Sequence, residues 1–472
     1  MSAAESLPEP IRIPIAPPAL PPAVRRVADT LQAAGERTLL AGGAVRDHLL
    51  GRAPKDFDLA SSATPERVAE LFPRTVMVGA QFGVSRVIET GDDGVDDEVE
   101  VVRFRADLEY EDGRHPVGVV FSSEAGDAKR RDFTVNGLFY DLATNEVLDY
   151  VGGYRDLGER VLRAIGDARA RYREDRLRML RAVRFATVLG FELETETWNA
   201  IVEEASAITE VSAERIRDEL QKTLMHPRRE LGYFLLSDSG LMQHILPEVE
   251  AMRGVEQPPE FHPEGDVHRH VGLVLSELRD PGFTVVMGAL LHDIGKPPTF
   301  EILDRIRFNG HDRVGSEMAD EVCRRLRFSK REREEVVYMV RRHMIWPAVS
   351  EMRVSTRKRL FEEPGFPQLL QLGYADCRGS HGDTGVCERA EELYEAYLEE
   401  GPPVEPLLGG RDLIALGMTP GPQMGDLLRE VEDLRREGEF DDREGAIAWL
   451  QRERSQWFGG GAPADAGEGT TE

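Results

Sequence analysis

Cysteine is scarce: Cys323, Cys377 and Cys387 form no CxxC pair and leave an odd count in 472 residues. That pattern excludes a disulfide framework and reads as free thiols in a reducing compartment. Long apolar runs are also missing. The stretch from Phe283 to Leu291 is about as long as any, far below the ~20 residues of a membrane span. No basic segment followed by an apolar core opens the sequence, and early prolines would interrupt one, so secretion is not expected. These absences predict a cytoplasmic protein without a membrane partner. Positive charge is in short supply: 59 basic residues face 86 acidic ones, a net charge of −27. Such a balance repels a polyanion at long range.

The charge is unevenly spread. Residues 92–100 carry six acids and no base, whereas residues 155–184 carry ten arginines against five acids, just downstream of Lys129-Arg130-Arg131. A local basic surface suffices for phosphate contacts, so RNA is not excluded. Apolar content of 41% and charged content of 31% describe a globular chain, and its length predicts two to four domains.

Composition and periodicity divide the chain. Residues 1–22 are proline-rich and 459–472 rich in Gly, Ala and Glu, so both ends are expected to be disordered. Between 23 and 164, short β-type runs (38–40, 56–59, 84–88, 99–104 and 118–121) alternate with helical patterns. The apolar period then becomes helical over 165–254, as in RLRMLRAVRFATVLG. Pro258, Pro259 and Pro263 mark a linker that opens a histidine-bearing helical block, 255–399. Gly401, Pro402 and Pro403 precede a helical tail, 400–458, in which Gly409-Gly410 reads as a turn joining short helices. No internal repeat is visible.

The first chemical signal is Gly42-Gly43-Ala44-Val45-Arg46-Asp47, between an apolar strand and an amphipathic helix. Paired glycines admit a polyphosphate to the backbone, the helix start favours anions, and Arg46 can hold phosphate through its planar fork. Ten residues on, Asp56 and Asp58 alternate with Phe57 and Leu59. In a strand the two carboxylates would share a face, and like charges so placed call for a cation, as phosphoryl transfer requires. Taken alone, the first signal also fits a plain turn and the second a polar edge strand.

Together, GGAVRD and DFDLA resemble the class II tRNA nucleotidyltransferase and poly(A) polymerase family. Further segments match in order: Arg130 to Asn136 (RRDFTVN), Glu174 to Phe185 (EDRLRMLRAVRF), and Glu214-Arg215-Ile216 with Glu219-Leu220. The resemblance implies an α+β head, a polymerase-β-like mixed sheet with helices, followed by an all-α neck, a further helical domain and a tail. It implies that Asp56 and Asp58 are catalytic and hold Mg²⁺. Gly43, Arg46, Arg131, Arg181 and Arg184 would bind the nucleotide, and Asp175 and Arg178 would read the edge of its base. A carboxylate accepts from the exocyclic amine shared by C and A, and guanidinium donors suit ring acceptors. On a helix, Arg178, Arg181 and Arg184 form one stripe between apolar flanks, expected to face a cleft and an anionic partner. Glu100, on a neighbouring strand, is not counted as a third carboxylate. In the family, the segment matching 106–120 is a mobile loop implicated in switching from C to A addition.

Leu290 to Lys296 (LLHDIGK) resembles the HD phosphohydrolase motif. That likeness implies a divalent metal held by His270, His292, Asp293 and Asp376, with His268 a rival to His270. His311 and His343 are candidates for a second ion. Mixed imidazole and carboxylate donors suit Mn, Ni, Co or Fe better than Mg²⁺. The expected function is therefore CCA addition to tRNA from CTP and ATP, with a second phosphohydrolase activity and no DNA partner. A-only or CC-only addition, poly(A) synthesis and a non-enzymatic RNA-binding or regulatory role remain as alternatives. The sequence leaves oligomeric state open.

Overall fold

The computed structural model describes residues 9–77, 83–91, 94–107, 119–258, 265–401 and 405–458. The chain forms two compact units, Met1–Gly254 with Glu321–Ser329, and Val255–Asp320 with Lys330–Glu472. The expected 106–120 loop falls largely outside the described residues, as do Pro259 and Pro263 of the linker, Pro402 and Pro403, and the two extreme ends.

The first unit begins with β1 (Ile11–Pro14), α1 (Pro22–Ala33), β2 (Thr38–Ala41), α2 (Gly43–Leu49), β3 (Asp58–Ser61) and α3 (Pro65–Leu71). There follow β4 (Thr75–Met77), β5 (Val84–Thr90), β6 (Asp96–Arg103), β7 (Arg105–Asp107), β8 (Val119–Phe121) and α4 (Glu124–Lys129). β9 (Phe139–Asp141), β10 (Glu146–Asp149) and α5 (Gly153–Glu159) complete the head. Eight strands make one mixed sheet in the order β1-β10-β9-β2-β3-β6-β5-β4, with β7 and β8 paired separately. β3 and β6 run parallel. Period-two alternation sorts the core: Leu40, Leu59, Tyr140 and Val147 pack with Val27 and Leu31 of α1 on one face, while Leu39, Ala60, Phe139 and Leu148 pack with Phe104 on the other.

Two expectations change. The segment 1–22 was expected to be disordered, but β1 pairs with β10 and α1 starts at Pro22. Ile13 packs on the head core, and Pro14 ends an edge strand, where a missing N–H is tolerated. The strand expected from Asp56 starts instead at Asp58. Its ladder with β2 ends at the Ala41–Asp58 pair, because Gly42, at φ 65°, turns the chain into α2.

The neck comprises β11 (Val161–Leu162), α6 (Ala168–Glu174), α7 (Leu177–Leu189), β12 (Glu192–Leu193), α8 (Thr195–Glu204), α9 (Ala213–Leu224) and α10 (Arg229–Asp238). Short helices α11 (Leu241–Ile245) and α12 (Pro247–Glu250) close it. α7 packs on α9 and α10 and ends at Gly190 in the left-handed region, the usual stop for a helix.

The second unit contains α13 (Val267–Glu277), α14 (Phe283–Leu291), the β13–β14 hairpin (Glu301–Ile302, Ile306–Arg307), α15 (His311–Arg325) up to Asp320, and α16 (Lys330–Arg342). It continues through α17 (Trp346–Val349), α18 (Val354–Glu362), α19 (Phe366–Gly379) and α20 (Gly385–Glu400). α13, α14, α16 and α19 pack together, and the apolar run read from the sequence is α14, buried from Val285 to Leu291. α21 (Gly410–Ala415), α22 (Gln423–Glu437) and α23 (Arg443–Glu453) share a small core of Leu413, Leu427, Val431, Ala446 and Leu450. Among the described residues, no helix is long and apolar enough to cross a membrane.

Candidate functional site

The head presents a cleft lined by Lys55, Asp56, Asp58, Arg86, Glu98 and Glu100. Because β3 and β6 are parallel with Leu59 opposite Val101, Asp58 and Glu100 stand side by side on one face. Asp58 counts as exposed by surface area, yet the cleft walls strip enough water to raise its carboxyl above the ordinary value. Arg131 opposes that rise and Asp56 adds to it. Burial and the charge of Asp58 raise Glu100 in turn. Two carboxylates raised by burial and by each other's or a neighbour's charge, with Asp56 beside them, are a receptive arrangement for a cation. Glu100, placed by the sequence on a neighbouring strand but not counted as a third carboxylate, is set beside Asp58 by this parallel register.

Beside the cleft, Gly42 rather than Gly43 carries the backbone requirement, its φ of 65° lying in the left-handed region. A Cβ on Gly42 would lie 2.7 Å from Nη1 of Arg131, whereas one on Gly43 would meet only Nη2 of Arg46, at 3.7 Å. Arg131 donates to Asp127 at 3.0 Å and to the Asn136 carbonyl at 3.3 Å. Arg46, buried, donates from Nη1 to Asn136 Oδ1 at 2.6 Å. Asn136 Nδ2 donates to Asp132 Oδ1 at 3.0 Å, and Arg181 Nε donates to Asp132 Oδ2 at 2.9 Å. A polar chain therefore runs from the Gly-Gly turn to α7. Burial would raise the Asp132 carboxyl, but Arg181 and Asn136 hold it down at about 2.

The arginine stripe on α7 was expected to seek an anion across a cleft. Each member instead has a carboxylate within the protein: Arg178 with Glu174 at 2.7 Å, Arg181 with Asp132, and Arg184 with Glu219 at 2.7 Å. Burial lowers the Arg184 guanidinium from its ordinary value, against the opposing charge of Glu219. Asp175 and Arg178, expected to read a base together, have separate partners. Asp175 accepts from Arg215 Nη2 at 3.2 Å on both oxygens, and Arg178 also donates to the Arg130 carbonyl at 3.1 Å. Arg215 and Glu219, both on α9, were quoted only as parts of a motif; their partners are far apart in sequence and leave no local signal.

In the second unit, His270 of α13, His292 and Asp293 after α14, His311 opening α15, His343 after α16 and Asp376 of α19 converge. His270, His292 and Asp293 form one metal-capable group, and Asp293, His311 and His343 another; His268 is in neither. Asp293 faces the first through Oδ2, 3.2 Å from His292 Nε2, and the second through Oδ1, 3.6 Å from His311 Nε2. Asp376 Oδ1 lies 3.1 Å from His270 Nε2. His292, His311 and His343 each place Nδ1 2.8 Å from a backbone carbonyl, of Ala289, Phe308 and Val340 respectively. Those carbonyls fix the proton on Nδ1 and turn the Nε2 lone pairs inward. The Nε2 atoms of His311 and His343 are 3.1 Å apart, a spacing that two facing lone pairs accept when a cation lies between them. Burial and the charge of His292 push His343 down to about 4, so it is neutral and able to ligate at physiological pH. Lys296 supports the group, 2.7 Å from Asp293 Oδ2 and 2.6 Å from Gln257 Oε1.

Known proteins align with this layout. The family model of the Poly A polymerase head domain matches residues 38–163, that of the probable RNA and SrmB-binding site of polymerase A matches 190–253, and that of the HD domain matches 269–366. A Deinococcus radiodurans protein named as an A-adding tRNA nucleotidyltransferase is 32% identical over 438 residues, covering 88% of this chain and 94% of its own. A CCA-adding enzyme of Geobacillus sp. (strain WCH70) is 40% identical over 220 residues, 46% of this chain and 53% of that one. The chain thus spans about half the length of the CCA-adding relatives it matches. The fold is that of a crystal structure of Bacillus stearothermophilus CCA-adding enzyme in complex with CTP, with a TM-score of 0.69 and 24% identity over 93% of this chain and 99% of that one. The carboxylate cleft falls within the first of those family matches, His270 to His343 within the third, and the near full-length similarity to the Deinococcus protein spans the whole layout, so the chain belongs to the tRNA nucleotidyltransferase and poly(A) polymerase family.

Proposed function

We propose that this chain is a cytoplasmic enzyme that adds C, C and A from CTP and ATP to tRNA 3′ ends without a nucleic-acid template. The observation that carries the reading is the grouping of Asp56, Asp58 and Glu100 in one cleft beside the arginine network of α2 and α7. An all-oxygen donor set suits Mg²⁺, which Asp56 and Asp58 would hold with help from Glu100. Bound there, Mg²⁺ would offset the charge of a triphosphate. The Gly43 turn, Arg46, Arg131, Arg181 and Arg184 bind the nucleotide. Asp175 and Arg178 select its base, with Arg215 orienting the carboxylate.

The test offers tRNA lacking its 3′ end to the purified protein with each labelled nucleotide, singly and in pairs. Two C additions followed by one A support the reading. Addition of A alone, only after a supplied CC end, replaces it with A-only activity, which the near full-length similarity to the A-adding Deinococcus protein favours as the second reading. A long A ladder replaces it with poly(A) synthesis.

The histidine cluster carries a separate activity, metal-dependent hydrolysis of 2′,3′-cyclic phosphates. Buried His270, His292 and Asp293 with the partly buried Asp376, extended by His311 and His343, give imidazole and carboxylate donors that suit Mn, Ni, Co or Fe better than Mg²⁺. A bound ion would supply a Lewis acid for phosphoester cleavage. In folded His292→Ala and Asp293→Ala proteins, this hydrolysis disappears while Mg²⁺-dependent nucleotide addition stays within about an order of magnitude. Wild-type protein inert toward cyclic phosphates with each of these metals would refute the second activity.

A further inference from the structure

Phe185 lies on α7, one residue beyond Arg184, with 8% of its surface exposed. Three guanidinium carbons surround its ring: Arg184 at 4.2 Å from the centroid, Arg46 at 5.2 Å and Arg181 at 5.4 Å. Phe133 meets the ring edge-on, centroid to centroid 5.8 Å, and fixes its orientation. These three arginines come from two elements and repel one another. Their carboxylate partners differ: Asp132 in the head for Arg181, Glu219 on α9 for Arg184 and the adjacent Asp47 for Arg46. The Phe185 ring is their common neighbour. An aromatic face attracts a cation within about 6 Å, yet offers no acceptor that would use up N–H groups. It can hold the guanidinium groups together without competing for the N–H groups that Asp132, Glu219 and Asp47 leave over.

We infer that Phe185 is a positioning residue that gathers Arg46, Arg181 and Arg184 into one receptor for the triphosphate of the incoming nucleotide. This deepens the nucleotidyltransferase reading and rests on it. Base choice lies elsewhere, with Asp175 and Arg178, so Phe185 governs how tightly a triphosphate is held and leaves base selection alone.

The experiment compares wild type with Phe185→Leu, which keeps an apolar side chain of similar volume, and Phe185→Trp, which keeps an aromatic face. Binding of Mg²⁺ with inorganic tripolyphosphate is measured calorimetrically without RNA, alongside KM and kcat for CTP, ATP and UTP. Thermal melting serves as a check on folding. Phe185→Leu is expected to weaken tripolyphosphate binding and raise KM for CTP and ATP alike by roughly three- to tenfold, in line with lost cation–π contacts. The CTP-to-UTP preference should be unchanged, and Phe185→Trp should stay nearer wild type. Tripolyphosphate binding unaltered in folded Phe185→Leu overturns the inference, as does a change confined to base preference or absence of binding by wild type. If wild type binds tripolyphosphate, Phe185→Leu loses it, and no RNA is extended, the receptor stands and the nucleotidyltransferase reading fails.

Discussion

Gly295 lies directly under the backbone of His311: a Cβ built on Gly295 would fall 2.1 Å from the His311 carbonyl oxygen and 2.6 Å from the Gly315 nitrogen. Backbone atoms cannot yield as a side-chain end can, so a methyl group there must push the start of α15 away. His311 would move with it, out of reach of Asp293 and His343. Gly295→Ala is therefore expected to cut metal affinity of the histidine cluster by about tenfold or more, the usual scale for disturbed ligand support. Metal titration of the folded variant checks this, and affinity equal to wild type would refute it.

The carboxylate cleft makes a graded prediction. Asp56→Ala and Asp58→Ala should each reduce nucleotide addition to a few per cent of wild type or less. Glu100→Gln, which removes charge without volume, should lower kcat by roughly a hundredfold, as loss of one preorganised electrostatic group does. Full activity of Glu100→Gln in single-turnover assays would exclude Glu100 from the cation site.

Base choice is tested on two layers. Asp175→Ala or Arg178→Ala should relax discrimination against UTP and GTP by ~1–3 kcal/mol, the scale of one bidentate contact. Arg215→Ala leaves both base-reading side chains in place but frees the Asp175 carboxylate, so part of the same relaxation is expected. Ratios of kcat/KM across the four nucleotides decide it. An Arg215→Ala protein that is slower with every nucleotide, but equally selective, would confine Arg215 to structural support.

Acid should loosen the link between head and neck. Asp132 has its folded carboxyl lowered from 3.8 to about 2. A carboxyl depressed on folding adds stability above its unfolded value, and that stability is lost as pH falls through the folded one. The contribution is therefore complete above about pH 4 and fades toward pH 2, amounting to on the order of 2 kcal/mol. Asp132→Asn should lose at least this much at neutral pH and show a flatter acid limb in denaturant melts from pH 5 to 2.

What could be read in advance follows sequence distance. Local geometry made the Gly-Gly turn, Asp58, the α7 stripe and the His292-Asp293 pair legible, since each lies within one turn or one element. Glu174 and Arg178 are only four apart on the chain, but the extended Asp175 separates α6 from α7, so helical spacing does not account for their pairing. Asp132 and Arg181 are 49 apart, and Arg215 is 40 from Asp175, so only the seating of α7 against the head and against α9 brings them together. Glu100 became recognisable through the parallel β3–β6 register. β1, β9 and β10 escaped notice for another reason. They are three or four residues long, too short to display alternation, and β1 stands amid prolines that suggest an unfolded lead-in.

Asp293 gives the second unit a hub. One carboxylate closes both metal-capable groups, while each histidine belongs to a single group. Losing His270 or His343 would leave three donors elsewhere in the cluster, but losing Asp293 breaks both triads with one change. The cluster's response to mutation is thus uneven by construction: a lost histidine disables one group and leaves the other triad whole, whereas the loss of the hub empties both.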